Sequence, residues 1–174
     1  MKLVSAADAH LSLHAWRDRP ELSGDTEHSF QQLIDFTLTQ PGVEGLLLLG
    51  DILDAADPPP EIVDFLLTQL RRLEGVCPVY FITGQHDHGL WLGLSKWATH
   101  LDGQVLTFGE HLIYGLDWQH KSEVLAALQA IPEDVRVLAA HQVWAELCPS
   151  PDCSCLQIPH VTTLLTGDYH KHLQ

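Results

Sequence analysis

Basic side chains are scarce in this chain: nine Lys and Arg stand against 23 Asp and Glu, for a formal net charge of −14. This balance argues against a broad cationic surface that grips phosphate backbones by charge alone. Nucleic acid itself is not excluded, because carboxylates that end up on divalent cations count toward the same total. Long apolar runs are also absent. No stretch approaches the roughly 18 residues that cross a bilayer. Met1-Lys2 leads straight into Leu3-Val4, with neither a charged leader nor a cleavage site. A soluble, cytoplasmic protein with no membrane partner is expected. Cysteine is sparse too. Without a secretion signal, Cys77, Cys148, Cys153 and Cys155 read as reduced thiols and not as a disulfide framework. Three of them are spaced C-x4-C-x-C, which is no standard zinc pattern; a small zinc site completed by His160 is the alternative to free thiols.

What the chain has in excess is histidine, 12 of its 174 residues. A hydrophobic content of 45% is enough for one good core, and the length fits a single domain over residues 1–174. No internal repeat or low-complexity segment interrupts it.

The apolar pattern alternates between strand and helix. Lys2 to Ala7 is a short apolar run ending at Asp8-Ala9-His10. Phe30, Leu33, Ile34 and Leu38 share one face of a helix from about Thr26 to Thr39, which Pro41-Gly42 stops. Gly45 to Leu49 is a buried strand ending at Gly50-Asp51. After Pro58-Pro59-Pro60, a second helix turns Ile62, Val63, Leu66, Leu70 and Leu73 inward, with Arg71 and Arg72 near its end. Pro78 to Ile82 is a third strand, ending at Gly84-Gln85-His86-Asp87. This succession implies an α/β protein whose parallel sheet collects polar residues at its strand C-termini. Farther on, Gln104 to Phe108 and His111 to Leu116 pair around Gly109-Glu110, and Ser122 caps a helix through Gln129. Val135 to Ala140 is a strand ending at His141. Cys148 to Pro159 is a loop, and Val161 to Thr166 leads into Gly167-Asp168-Tyr169-His170-Lys171-His172.

Five times, then, a short apolar strand stops at Asp or His. Strand residues two apart share a face, so Asp8 with His10, and His170 with His172, aim at common points. Gathering so many ionisable groups at one rim without a cation would cost several kcal/mol each, on the order of the usual burial penalty. A metal site is the expectation. His14, His28, His88, His100, His111, His120 and His160 read instead as surface or turn residues.

Asp8-Ala9-His10, Gly50-Asp51-Ile52-Leu53-Asp54, Gly84-Gln85-His86-Asp87, His141 and Gly167 to His172 together resemble the five ordered blocks of calcineurin-like metallophosphoesterases. The middle of the chain, Gly50 to Asp87, looks nearest to SbcD-type DNA repair exonuclease subunits, including phage-encoded relatives. The resemblance implies a four-layer αββα sandwich with its site at the sheet rims. It also implies two divalent ions, manganese first with iron or zinc as alternatives. One ion would sit on Asp8, His10 and His172, the other on Gln85, His141 and His170, with Asp51 bridging. A hydroxide shared by the ions would attack phosphorus, His86 would stabilise or protonate the departing oxygen, and Asp87 would orient the His86 ring. DNA is the implied substrate, with an exo- or endonuclease activity and either an SbcC-like ATPase partner or a homodimer. A small-molecule phosphatase or phosphodiesterase, and a non-catalytic metal- or partner-binding scaffold, are the competing readings.

The pattern is departed from in three places. Gln85 stands where the family has Asn, which keeps the amide but adds a methylene to its reach. Asp168 stands where His is common, as a supporting partner of the ligands or as a solvated turn residue. Asp54, like Asp87, can also be a plain loop carboxylate. Gln174 lies two residues beyond His172, so the C-terminal strands of the fold are expected to be missing and the second sheet to present an open edge.

Overall fold

The computed structural model describes residues 2–13, 18–87 and 94–169. Two four-stranded sheets form. The first runs β1 (Leu3–Ala6), β2 (Gly45–Leu49), β3 (Val79–Ile82) and β4 (Thr99–His100), all parallel and in that order. Helix α1 (Asp25–Thr39) joins β1 to β2, and α2 (Pro60–Arg71) joins β2 to β3. The second sheet runs β5 (Val105–Phe108), β6 (His111–Leu116), β7 (Val137–His141) and β8 (Thr163–Gly167). Among the described residues only the β5–β6 hairpin is antiparallel. Helix α3 (Val124–Gln129) lies between β6 and β7 in sequence.

The two-residue period of a strand explains the layering. Leu46 and Leu48 of β2, with Val4, Val79 and Phe81 of its neighbours, meet Phe30 and Ile34 of α1 and Ile62, Leu66 and Leu70 of α2. Leu47, Leu49 and Ile82 face the other way and meet Phe108, Ile113 and Ala139 of the second sheet. On that sheet's far side, Tyr114, Leu116, Leu138 and Ala140 pack with Val124 and Leu128 of α3. The result is an α/β/β/α sandwich, and β2, buried along all five residues, is apolar throughout because both of its faces are covered. Each of its leucines contributes roughly 2 kcal/mol by burial.

Three local features differ from the sequence expectation. Ser122 does not cap α3: the helix begins after Glu123 without a side-chain cap, and the Ser122 hydroxyl lies 2.8 Å from His120 Nδ1 instead. Strand β7 starts at Val137, since Arg136 gives its carbonyl to Thr162 and Thr163 as the chain enters β8. The loop from Cys148 contains a 3-10 turn at Cys155–Gln157, closed by a capping box between Ser154 and Gln157. Among the described residues no helix is long and apolar enough to cross a membrane.

Candidate metal centre

The strand ends do not stop at the last ladder bond. Beyond β1 the chain keeps running beside the chain beyond β2: Asp8 N donates to Gly50 O at 3.1 Å, His10 N to Asp51 O at 2.9 Å and Leu11 N to Ile52 O at 2.8 Å. Among the described residues, the non-glycine positions with positive φ are Asp8 (57°), His10 (45°), Asp51 (49°) and Asp168 (83°). Asp and His tolerate this region better than branched residues do, yet each such position costs on the order of 1–3 kcal/mol. The strain falls on the strand ends that carry the site.

Asp51 is its hub. The carboxylate is buried, with Oδ1 accepting the His86 amide at 2.9 Å. Oδ2 lies 3.3 Å from His141 Nε2 and 3.9 Å from both His10 Nε2 and His86 Nε2. Asp8 Oδ1 is 3.8 Å from His141 Nε2. Among the described residues, candidate ligand atoms thus fall into two groups that share Asp51: Asp8, Asp51 and His141 in one, His10, Asp51 and His86 in the other. The resemblance places Asp8 with His10 on one ion; here Asp8 is grouped with His141, and His10 with His86.

The tautomer of His141 follows from its second nitrogen. Nδ1 sits 2.6 Å from the Leu49 carbonyl, which can only accept, so Nδ1 carries the proton and Nε2 presents its lone pair toward Asp51. A lone pair and a carboxylate oxygen 3.3 Å apart repel unless a cation stands between them. That cation is a proton or a metal. Burial would depress the His141 pKa, but Asp51, the Leu49 carbonyl and Asp8 outweigh it and hold the pKa above the ordinary histidine value. Burial likewise works to raise Asp51, and His141 with the His86 amide more than reverses it, leaving Asp51 below the usual carboxylate range.

Asp54 orients both outer histidines. Its Oδ1 lies 3.2 Å from His10 Nδ1, and its carbonyl oxygen lies 3.2 Å from His86 Nδ1. Both rings are thereby turned with Nε2 toward Asp51, and they meet edge to face at 4.9 Å between centroids. The carboxylate–histidine arrangement is the usual support of a metal-bound imidazole. Asp54 was not among the site residues expected from the sequence. The signal lay in the second block, where it sits three residues past Asp51. Asp87, expected to orient His86, is buried, with Oδ1 accepting from Gly84 N at 2.7 Å and Oδ2 from Ile52 N at 2.7 Å. It clamps the second and third strand ends together. Burial pushes its carboxyl up, partly offset by those amides.

Gln85 is exposed, and its Nε2 donates to Asp168 Oδ1 at 3.0 Å. The Asp168 amide in turn donates to both Asp8 oxygens, at 3.1 and 3.2 Å. Asp168 therefore ties the first, third and fifth blocks to one another and is not a solvated turn residue. His170 and His172 lie outside the described residues. Three block glycines are sterically required: a Cβ on Gly84 would overlap Asp51 Oδ1, one on Gly50 (φ 84°) would come within 2.5 Å of His141 Nδ1, and one on Gly167 within 2.7 Å of the same atom.

The donor set fits divalent ions. Buried carboxylate and imidazole atoms converge on a shared Asp51, with an imidazole lone pair aimed at it, and mixed N and O donors suit Mn, Fe or Zn. Cysteine takes no part, since neither candidate ligand group among the described residues contains one. Cys153 Sγ is directed at the Val143 carbonyl, and burial above all pushes its pKa up to about 12, a neutral thiol.

A crystal structure of the Pseudomonas putida nuclease MPE is similar at 21% identity and a TM-score of 0.48, over 68% of this chain and 56% of that one. The chain thus spans little more than half the length of that protein. No curated protein sequence matches at a significant level. The family model for calcineurin-like phosphoesterases matches residues 1–172. The chain belongs to the calcineurin-like phosphoesterase family.

Proposed function

We propose that this phosphoesterase hydrolyses phosphodiesters with two divalent ions sharing Asp51, manganese in the first instance, and that DNA is its substrate. The sharing of Asp51 between two ligand groups carries the reading, because a bridging role accounts for a carboxylate buried at the junction of Asp8, His141, His10 and His86. Bound ions would supply a Lewis acid for the phosphoryl oxygens and lower the pKa of water toward neutrality. The protein's own part is positional. Asp51 and His141 are held by backbone contacts from Gly84 to His86 and from Leu49. His170, His172 and Gln85 complete the proposed donor set. His86 has its Nδ1 at the Asp54 carbonyl and its side chain 43% exposed; kept off the ions and carrying a proton on both nitrogens, the ring would donate its Nε2–H to a departing oxygen. Exposure of that ring on the rim suits a diester within a longer strand. Asp87 serves the site from beneath, as the clamp under the third block.

The charge of −14 favours a second reading, a diesterase or phosphatase on a small substrate that needs no cationic track. The test is Mn²⁺-dependent cleavage of single- and double-stranded DNA beside bis-p-nitrophenyl phosphate and p-nitrophenyl phosphate, with Asp51→Ala and His86→Ala as controls. Cleavage of DNA and of the diester, lost in both variants, supports the proposal. Turnover of the monoester alone favours the second reading. Activity that persists in Asp51→Ala overturns the shared-carboxylate mechanism, and metal binding without any turnover leaves a scaffold.

A further inference from the structure

Away from the metal ligands, a second cluster of polar groups joins the two sheets. His100 of the edge strand β4 stacks on Phe81 with centroids 4.7 Å apart and planes 6° from parallel. Its Nε2 lies 2.9 Å from both oxygens of Asp117, just beyond the end of β6. Asp117 Oδ1 also accepts Thr83 N at 2.7 Å, and Asp117 N donates to Asp102 Oδ1 at 3.0 Å. The next residue completes the clasp, with Trp118 N donating to Thr83 O at 2.9 Å. Both backbone groups of Thr83 are thus held from the opposite sheet.

Thr83 immediately precedes Gly84-Gln85-His86. Gly84 has no room to move toward Asp51, because even a Cβ would overlap the Asp51 carboxylate, and the His86 amide is hydrogen-bonded to that carboxylate. A shift of Thr83 is therefore passed to the bridging ligand and to the His86 ring. We propose that Asp117, braced by His100, is a positioning residue that sets the third-block loop against Asp51. The proposal rests on the reading of Asp51 as a metal-bridging ligand. A buried carboxylate is a costly way to hold an edge strand for stability alone, and this one is directed at the single residue from which the loop departs.

The test compares wild type with Asp117→Ala, Asp117→Asn and His100→Ala. It reads Mn²⁺ affinity by electron paramagnetic resonance titration, kcat and KM on bis-p-nitrophenyl phosphate, and Tm. Asp117→Ala is expected to weaken Mn²⁺ binding and lower kcat by about tenfold each, as supporting residues of metal sites do, with KM little changed. Asp117→Asn keeps an acceptor for Thr83 and is expected to recover most of both. His100→Ala is expected to fall between. If Asp117→Ala does not fold, His100→Ala decides, since the ring it removes is 43% exposed. Variants that lose Tm but keep wild-type Mn²⁺ affinity and kcat overturn the proposal. A wild type that binds Mn²⁺ and hydrolyses nothing defeats the functional reading, and the affinity difference between variants then still decides the role of Asp117.

Discussion

Asp51 Oδ2 lies 3.3 Å from His141 Nε2, while the other nitrogen of that ring is held by the Leu49 carbonyl at 2.6 Å. The two residues come from different sheets, and their facing atoms leave one place at the rim for a shared cation. In the absence of metal that cation is a proton.

This relationship has a pH signature in metal-free protein. The His141 contribution to stability is complete below the ordinary value of 6.5 and is lost as pH rises through the raised folded value. The Asp51 contribution is complete above the ordinary value of 3.8 and is lost as pH falls through the depressed folded value. The pair therefore helps most between those two ordinary values. With Mn²⁺ present the ion takes the place of the proton, and the alkaline loss should vanish. Melting curves from pH 5 to 9, in chelator and in Mn²⁺, would show it; parallel profiles would contradict it.

Asp54→Ala is expected to lower Mn²⁺ affinity, kcat or both by roughly 10–100-fold, the usual cost of removing a carboxylate behind a metal-bound histidine. The His86 contact uses the Asp54 backbone carbonyl and survives the substitution, so the loss should trace to His10. Isothermal titration with Mn²⁺ measures the first and turnover of bis-p-nitrophenyl phosphate the second. An unchanged isotherm together with unchanged kcat would make Asp54 a bystander.

Gly84→Ala places a methyl group against Asp51 Oδ1 and 2.7 Å from the Asp51 backbone nitrogen, where no flexible side chain can yield. Overpacking of this kind costs roughly 1–3 kcal/mol. Tm should fall, and bound Mn²⁺ measured by elemental analysis should drop below the wild-type ratio. Gly75→Ala, at a position with open space but a left-handed φ of 76°, is the control for backbone strain away from the site: it should lower Tm and leave bound Mn²⁺ at the wild-type ratio.

Much of the site was legible because strand ends are: four apolar residues followed by Asp or His is a signal that survives without any tertiary information. The burial of Leu46 to Leu49 and the helical faces of α1 and α2 were legible for the same periodic reason. Asp54 was not, since a carboxylate three residues past a ligand looks like any loop acid until His10 is known to lie beside it. His100 read as a surface histidine. Its strand has two residues, both exposed, and its partner Asp117 is 17 positions away. The bond between Gln85 and Asp168 spans 83 positions, and no local pattern could announce it.

Cys153 should resist alkylation in the native protein at pH 8, being buried with its thiol pKa near 12, and should react only on denaturation. Mass mapping after iodoacetamide treatment, before and after guanidinium, checks this. Rapid native labelling of Cys153 would mean that the packing of Trp144 against it is wrong.

The most direct measurement is anomalous scattering from crystals grown with Mn²⁺. Two peaks flanking the Asp51 carboxylate, each within bonding distance of one of its oxygens, are the predicted result. A single peak, or two peaks of which neither touches Asp51, would contradict the shared-carboxylate centre.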